Sequence, residues 1–333
     1  MTRISTAPPR ELTAALERLL DERSRKSLAE RAARISSVYR AGGVTAQAIR
    51  DEDDALAYAL FRLPATYAAT IDALGRLRER APPFSPRRML DLGAGLGTAS
   101  RAAREIWPRI EAFTLLDRSA PFLTFARKLA GEALSTAEIV AGDIAAPPAL
   151  GGPFDLVIAS YAFTEIAEDS LATAVDAAWR NCSGALVLVE PGTPRDHQRL
   201  MRMRAQLVAA GAQVALPCPH SAQCPLAAPD WCHFSVRLAR SRDHKLLKAA
   251  DAPYEDEKFA YLVATRADAR IAPAPARLLA RPEARKHGLR IKLCGAAGIE
   301  EVTIAKSDKR RFAPIKKKGW GDEVAAEEAS TGE

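Results

Sequence analysis

No apolar run in this sequence approaches the roughly 18 to 20 residues that a membrane-spanning helix needs, so a chain built on such helices is excluded and no membrane partner is expected. The opening MTRISTAPPRELTAALERLL has no apolar core segment followed by a small-residue cleavage site. A secretory leader is therefore not expected, and the expected location is cytoplasmic. Cysteines number five, an odd count that no complete disulfide framework absorbs. Reduced thiols without disulfide partners are expected, and reduced thiols are free to bind metal. Internal repeats are absent as well. What is present, 333 residues with 48% hydrophobic and 27% charged, describes an ordinary globular chain of about two domains, long enough to be an enzyme.

Charge is unevenly placed. The formal net charge is +7, yet residues 266–320 hold 15 Lys or Arg against 5 Asp or Glu, which is +10 and leaves about −3 for the rest. A basic block on a nearly neutral body suits a polyanionic partner, most simply nucleic acid, with a solvated basic face as the alternative.

Residues 11–80 repeat apolar positions at helical spacing (Leu12, Leu16, Leu19, Leu20), and the proline pair of APPFSPRR ends that region. Short apolar strands then alternate with helical patterns. Strands are expected at 89–92, 112–116, 137–140, 156–159 and 185–189, and helices at 99–107, 121–131 and 170–180, the signature of a parallel sheet with crossover helices. A Pro- and Cys-rich insertion follows, then a strand at 259–264 and two alternating runs at 289–293 and 301–305 that read as a hairpin or barrel-like appendage. The expected layout is an α/β chain in four parts: a helical region 1–85; a Rossmann-like domain 86–265 with a cysteine-rich insertion at 213–240; a basic β appendage 266–321; and a disordered acidic tail 322–333.

The strongest motif is Asp91-Leu92-Gly93-Ala94-Gly95-Leu96-Gly97-Thr98, a strand ending in an acid and a G-x-G-x-G turn that opens a helix. Glycines there let the backbone approach a nucleoside, and the helix N-terminus presents free amides to a carboxylate. A nicotinamide motif would place its third glycine where Thr98 stands, so the spacing favours S-adenosylmethionine and a class I methyltransferase fold. Asp117, 22 residues after Gly95, is placed to accept hydrogen bonds from the ribose hydroxyls. Asp143 and Ile144 are placed to meet the adenine amino group and ring. The expected cofactor residues are thus Asp91, Gly93, Gly95, Gly97, Asp117, Asp143 and Ile144. Methyl transfer from a sulfonium is an in-line displacement that needs alignment more than a base, and no catalytic residue is designated. The Asn/Asp-Pro-Pro-aromatic run of familiar base methyltransferases is missing. Tyr161 and Phe163 stand in its place, as base-stacking or core residues, and Glu190 ends the fifth strand either at the cleft or as a plain strand end.

Cys218, Cys224 and Cys232 follow C-x5-C-x7-C in a loop-like segment, and Cys294 lies in the basic region. Four thiolates suit zinc or an iron-sulfur cluster. The closely spaced pairs common in structural zinc sites are absent, and wide spacing with Cys-Pro pairs leans toward 4Fe-4S, with zinc or no metal left open. The C-x3-C-x2-C of radical chemistry is absent too, so a cluster here would be a staple between the insertion and the appendage. His220 and His233 could replace a ligand, and Cys182 reads as a structural thiol.

The blocks Pro217-Cys218-Pro219-His220, Cys224-Pro225-Leu226, Asp230-Trp231-Cys232-His233-Phe234-Ser235 and Tyr254-Glu255-Asp256-Glu257-Lys258-Phe259 resemble the signature segments of the methyltransferase-like proteins of the mitochondrial small ribosomal subunit and their bacterial relatives. The resemblance runs from the glycine-rich turn to Trp320. It implies association with the small ribosomal subunit or its rRNA, a role in subunit assembly or translation, and a 4Fe-4S cluster on the metal positions Cys218, Cys224, Cys232 and Cys294. The expected function is an S-adenosylmethionine-binding, methyltransferase-like protein of that subunit; the alternative is a non-catalytic RNA-binding scaffold that keeps the fold.

Overall fold

The computed structural model describes residues 5–325 apart from 22, 42 and 270. Five helices lead the chain: α1 (Arg10–Asp21), α2 (Arg25–Arg40), α3 (Thr45–Ala48), α4 (Glu52–Phe61) and α5 (Leu63–Arg80). Side-chain oxygens of Ser24 and Asp51 cap α2 and α4, supplying acceptors that the first helical turn lacks. Along α5 the buried positions are mostly small (Ala65, Ala68, Ala69, Ala73, Gly75), which lets this helix lie close against the sheet that follows. It ends at Arg80, at the proline pair.

The α/β alternation then runs β1 (Arg88–Leu92), α6 (Thr98–Ile106), β2 (Ala112–Asp117), α7 (Ala120–Leu129), β3 (Glu138–Ala141), β4 (Phe154–Ser160), α8 (Leu171–Arg180), β5 (Cys182–Pro191), α9 (Pro194–Ala209), β6 (Gln213–Leu216), β7 (Phe234–Ala239), α10 (Arg242–Leu247) and β8 (Tyr254–Thr265). The sheet order is β3-β2-β1-β4-β5-β8-β6. Strands β1 to β5 are parallel neighbours, whereas β8 enters antiparallel to β5 and carries both β6 and β7 on its other edge. An antiparallel strand inserted between the fifth and sixth of a 3-2-1-4-5 parallel sheet is the class I methyltransferase topology. Successive strand residues face opposite cores: Met89, Phe113, Leu115, Ile158 and Val187 pack toward α5 and α6, while Leu90, Leu116, Val157, Leu186 and Leu188 pack toward α8 and α9. Burying each such side chain contributes roughly 1.5–3 kcal/mol.

The five strands expected in the parallel half lie within a few residues of those found. Four elements between β5 and β8 were not read from the sequence: α9, β6, β7 and α10. Helix α9 carries many Arg and Gln residues that dilute its apolar stripe, and β6 has only four residues.

Beyond β8 a second, five-stranded sheet forms from β9 (Ala276–Leu278), β10 (Glu283–Ala284), β11 (Gly288–Gly295), β12 (Gly298–Ala305), then α11 (Lys309–Ile315) and β13 (Glu323–Val324). Strands β11 and β12 are an antiparallel hairpin in register from Gly288↔Ala305 to Gly295↔Gly298. The expectation of disorder from 322 onward is corrected at its start. Val324 is fully buried in the small core with Leu278, Leu289 and Ile291, and β13 pairs with β9. The remainder of that expectation, 326–333, lies outside the described residues. No helix among the described residues is long and apolar enough to cross a membrane.

Candidate functional site

The glycine-rich turn joins β1 to α6 at the carboxyl edge of the parallel strands, where crevices form in open α/β sheets. All three of its glycines have positive φ: +67° at Gly93, +53° at Gly95 and +72° at Gly97. At Gly93 a Cβ would also stand 2.5 Å from the Cβ of Ala162, so no side chain fits. The turn is fastened to the end of β2: Gly93 N and Ala94 N donate to Leu116 O at 2.8 and 3.0 Å. Asp117 Oδ2 accepts from Gly95 N at 2.8 Å and its Oδ1 accepts from Ser119 N at 2.8 Å. Burial raises the Asp117 pKa against those backbone donors.

Around this turn lies a cleft that opens to solvent. Gly93, Gly95, Asp117, Asp143 and Ile144 line it, together with Arg118, Phe122, Tyr161 and Glu165. Asp91 and Gly97 do not line it. Asp91 is 1% exposed beneath the turn, and its Oδ2 accepts both Ser100 N at 3.0 Å and Ser100 Oγ at 2.7 Å. It ties β1 to the first turn of α6, and burial pushes its pKa up to about 7. Gly97 serves as the left-handed N-cap of α6.

The N-terminal helices complete the cleft. Thr45 and Tyr58 line it from α3 and α4, with Thr45 N donating to Glu165 Oε2 at 3.0 Å and the Tyr58 ring 5.0 Å from Phe122. Sequence reasoning missed both, since nothing local to 45 or 58 marks a contact with residues 165 and 122. On the far wall, Tyr161 sits at φ +58°, a strained setting for a non-glycine residue. Its hydroxyl donates to Glu257 Oε1 at 2.7 Å, the same oxygen takes Arg62 Nη2 at 2.9 Å, and the Arg62 guanidinium lies 4.4 Å from the Tyr161 ring centre. Phe163 is wholly buried core. Glu190, 1% exposed, accepts Phe163 N and Thr164 N, each at 3.0 Å. It braces the loop after β4 from below instead of facing the cleft, and burial raises its pKa to about 8.

Of the cysteines, Cys182 is a buried thiol at the start of β5. Cys218, Cys224 and Cys232 come from the 217–233 loop and Cys294 from β11. Among the described residues no three His, Cys, Asp or Glu stand at the spacing of a metal's ligands. The four thiols are nonetheless within electrostatic reach of one another. Burial raises the pKa of Cys218 and Cys232 and lifts Cys294 to about 11, and the neighbouring thiolates push in the same direction. Two buried arginines oppose this. Arg204, 3% exposed on α9, donates from Nη2 to His220 O at 2.7 Å. Arg277, 2% exposed on β9, stands in register with Cys294 and donates from Nε to Pro217 O at 2.8 Å, beside Cys218. Arg277 Nη2 has no hydrogen-bond acceptor among the described residues and stands 3.5 Å from Glu323 Oε1. His220 and His233 border this region through the loop, and His233 is held between two tryptophan rings.

The family model described as the mitochondrial small ribosomal subunit protein Rsm22 matches residues 52–325, from α4 to the end of the second sheet. The chain belongs to the Rsm22 family. It is 27% identical over 288 residues to the human protein named as the mitochondrial ribosome assembly protein METTL17, an alignment that takes in 80% of this chain and 61% of the relative's length. The chain thus spans about three fifths of that relative. The Rsm22-family chain also overlaps, loosely, the solved magnesium protoporphyrin IX methyltransferase of Synechocystis with bound S-adenosylhomocysteine (14% identity, TM-score 0.41, 62% of this chain and 85% of that one). A similar overlap exists with the precorrin-6y C5,15-methyltransferase of Geobacter metallireducens (17% identity, TM-score 0.39, 62% and 89%). Within the matched family segment lie the glycine turn, Asp117, Asp143, Ile144 and all five cysteines; α1 to α3 fall before it.

Proposed function

We propose that this Rsm22-family chain binds S-adenosylmethionine in the strand-end cleft and works with the small ribosomal subunit and its rRNA, in assembly or in RNA methylation, from the cytoplasm. The observation that carries the cofactor reading is the pairing of Gly95 N with Asp117 Oδ2 across a turn of three left-handed glycines. That arrangement brings the side-chain-free turn and a carboxylate to the same opening. In the proposed complex Asp117 accepts the ribose hydroxyls, Asp143 and Ile144 meet the adenine, and the bare glycine turn lets the methionine end of the cofactor approach the N-terminus of α6. The bound sulfonium supplies the methyl group for an in-line displacement. The cleft residues align the acceptor and exclude water: Tyr58, Phe122 and Thr45 close one side, and Tyr161 is held on the other by Glu257 and Arg62.

The same Tyr161–Glu257–Arg62 network favours a second reading. It closes the acceptor wall with satisfied hydrogen bonds where base methyltransferases present a free amide or carboxylate. A scaffold that retains cofactor binding without turnover fits this. Replacing Gly95 by a bulky residue separates the readings: subunit assembly that survives the loss of cofactor binding removes catalysis from the function.

We further propose that Cys218, Cys224, Cys232 and Cys294 hold a 4Fe-4S cluster, with zinc as the alternative. The donor set suits a polyanionic centre, since thiols whose pKa values stand high without metal need a cation to deprotonate them, and Arg204 and Arg277 supply buried countercharge beside them. Such a centre would staple the 217–233 loop to β11. Anaerobically purified protein is expected to absorb near about 400 nm if the cluster is present; colourless, zinc-containing protein would assign the site to zinc.

A further inference from the structure

We infer that Trp231, His233 and Trp320 form a fixed stacking platform for the bases of single-stranded RNA, with Lys316, Lys317 and Lys258 beside it to meet phosphates. This rests on the reading of the chain as a partner of the small ribosomal subunit, and adds to it a site and a strand state.

The chain has four tryptophans. Trp107 and Trp179 are 3% and 5% exposed, and their Nε1 groups donate to Phe84 O and Ala210 O, as core tryptophans usually do. Trp320 is different: it is 39% exposed at the end of the most basic stretch of the chain. Its ring centre lies 4.3 Å from that of His233 at an interplanar angle of 45°, and His233 stacks on Trp231 at 5.0 Å and 25°. Trp231 Nε1 donates to Gly192 O at 3.0 Å, which roots the column just past the carboxyl end of β5.

The outer ring is not on a loose loop. Next to it, Gly321 N donates to Leu278 O at 2.9 Å, Arg76 Nη1 donates to Gly321 O at 3.3 Å, and Arg277 Nη1 donates to the same carbonyl. Gly321 has φ +84°, and a Cβ there would meet the Phe234 ring at 2.5 Å, so the backbone carrying Trp320 is pressed onto the main sheet. The ordering that a stacked base requires is therefore already in place before binding. Lys316 and Lys317 are exposed four and three residues earlier, and Lys258 is exposed on β8, in register with Ser235, two residues beyond His233.

An exposed aromatic face fixed among lysines is the recognition chemistry of single-stranded nucleic acid, because each base offers a π-face and each phosphate a charge. A duplex keeps its base faces stacked internally and gains only the lysines. An acidic peptide likewise meets the cations and leaves the ring face unused.

The test measures binding of a fluorescein-labelled uridine dodecamer to full-length, anaerobically purified protein at several salt concentrations. Trp320→Ala is expected to weaken binding about tenfold at fixed salt while leaving the salt slope unchanged, and Trp320→Phe to stay within about threefold of the parent. The double substitution Lys316→Ala and Lys317→Ala is expected to reduce the salt slope by about one. Unchanged affinity in Trp320→Ala, or equal affinity for a duplex of the same length or for a glutamate peptide of matched charge, overturns the platform. If Trp320→Ala does not fold, the Phe and lysine variants still decide. Parent protein that sediments with small subunits while its dodecamer binding ignores Trp320 sinks the platform alone; parent protein absent from subunit fractions at low salt sinks the reading beneath it.

Discussion

Asp91 and Asp117 stand at the ends of neighbouring strands and carry the same functional group, yet their surroundings assign them opposite work. Asp117 opens into the cleft with each oxygen held by one backbone amide. Asp91 is sealed beneath the turn, with both of its bonds made to Ser100. Asp91→Asn is therefore expected to leave cofactor affinity unchanged, while Asp117→Asn weakens it by about tenfold or more, as loss of a charged hydrogen-bond acceptor does; titration calorimetry distinguishes them. Asp91 also makes stability depend on pH. Its pKa rises from 3.8 in the open chain to about 7 in the fold. The folded state then holds a proton that the unfolded state has released, so this contribution is fully present below about pH 4 and is lost as pH rises through about 7. A shift of that size corresponds to a few kcal/mol at most. Urea melts from pH 4 to 8 are expected to show this loss in the parent chain and a flatter profile in Asp91→Asn; an identical slope in both removes Asp91 as its source. From sequence, the two acids were indistinguishable, because residue type and strand-end position are the same and only burial separates them.

At the scale of elements, the glycine turn was legible since its requirement is local: positive φ at alternate positions leaves a pattern that survives without knowledge of anything else. The parallel strands were legible for a similar reason, as short apolar runs buried on both faces. The cover of the cleft was not. Thr45 and Tyr58 reach it only because α4 packs beside α7 and α2 holds α3 alongside, contacts between helices of which α4 and α7 lie far apart in the chain, and such pairings leave no mark at either site. Strands β6 and β7 escaped notice because the loop between them carries the prolines and cysteines that dominate the local reading. The cover has a measurable role. Tyr58→Ala removes the ring tilted against Phe122 and is expected to weaken cofactor binding several-fold and to lower stability by about 2–4 kcal/mol, in the range of large-to-small substitutions at packed sites. Unchanged affinity would confine Tyr58 to packing.

Across the whole molecule, the second sheet is fastened to the first by Arg277, whose register partner is Cys294 and whose hydrogen bonds reach Pro217 and Gly321. The basic residues exposed on that sheet and beyond it, including Lys286, Lys309, Lys316 and Lys317, give the region the charge a phosphate backbone requires. Replacing those four by alanine is expected to weaken sedimentation with small ribosomal subunits and to make the remaining association less sensitive to salt, with cofactor binding unaltered. A quadruple variant that sediments like the parent would place the subunit contact elsewhere. The charge asymmetry was plain from sequence; its mounting on a separate small sheet, tied in by a buried arginine, was not. The central claim remains that the cleft above the three glycines takes an adenosylated sulfur amino acid, and calorimetric titration of full-length, metal-replete protein with S-adenosylhomocysteine tests it most directly. A single saturable site lost in Gly95→Val and kept in Asp91→Asn is the predicted result, and the absence of any heat of binding in the parent protein would contradict it.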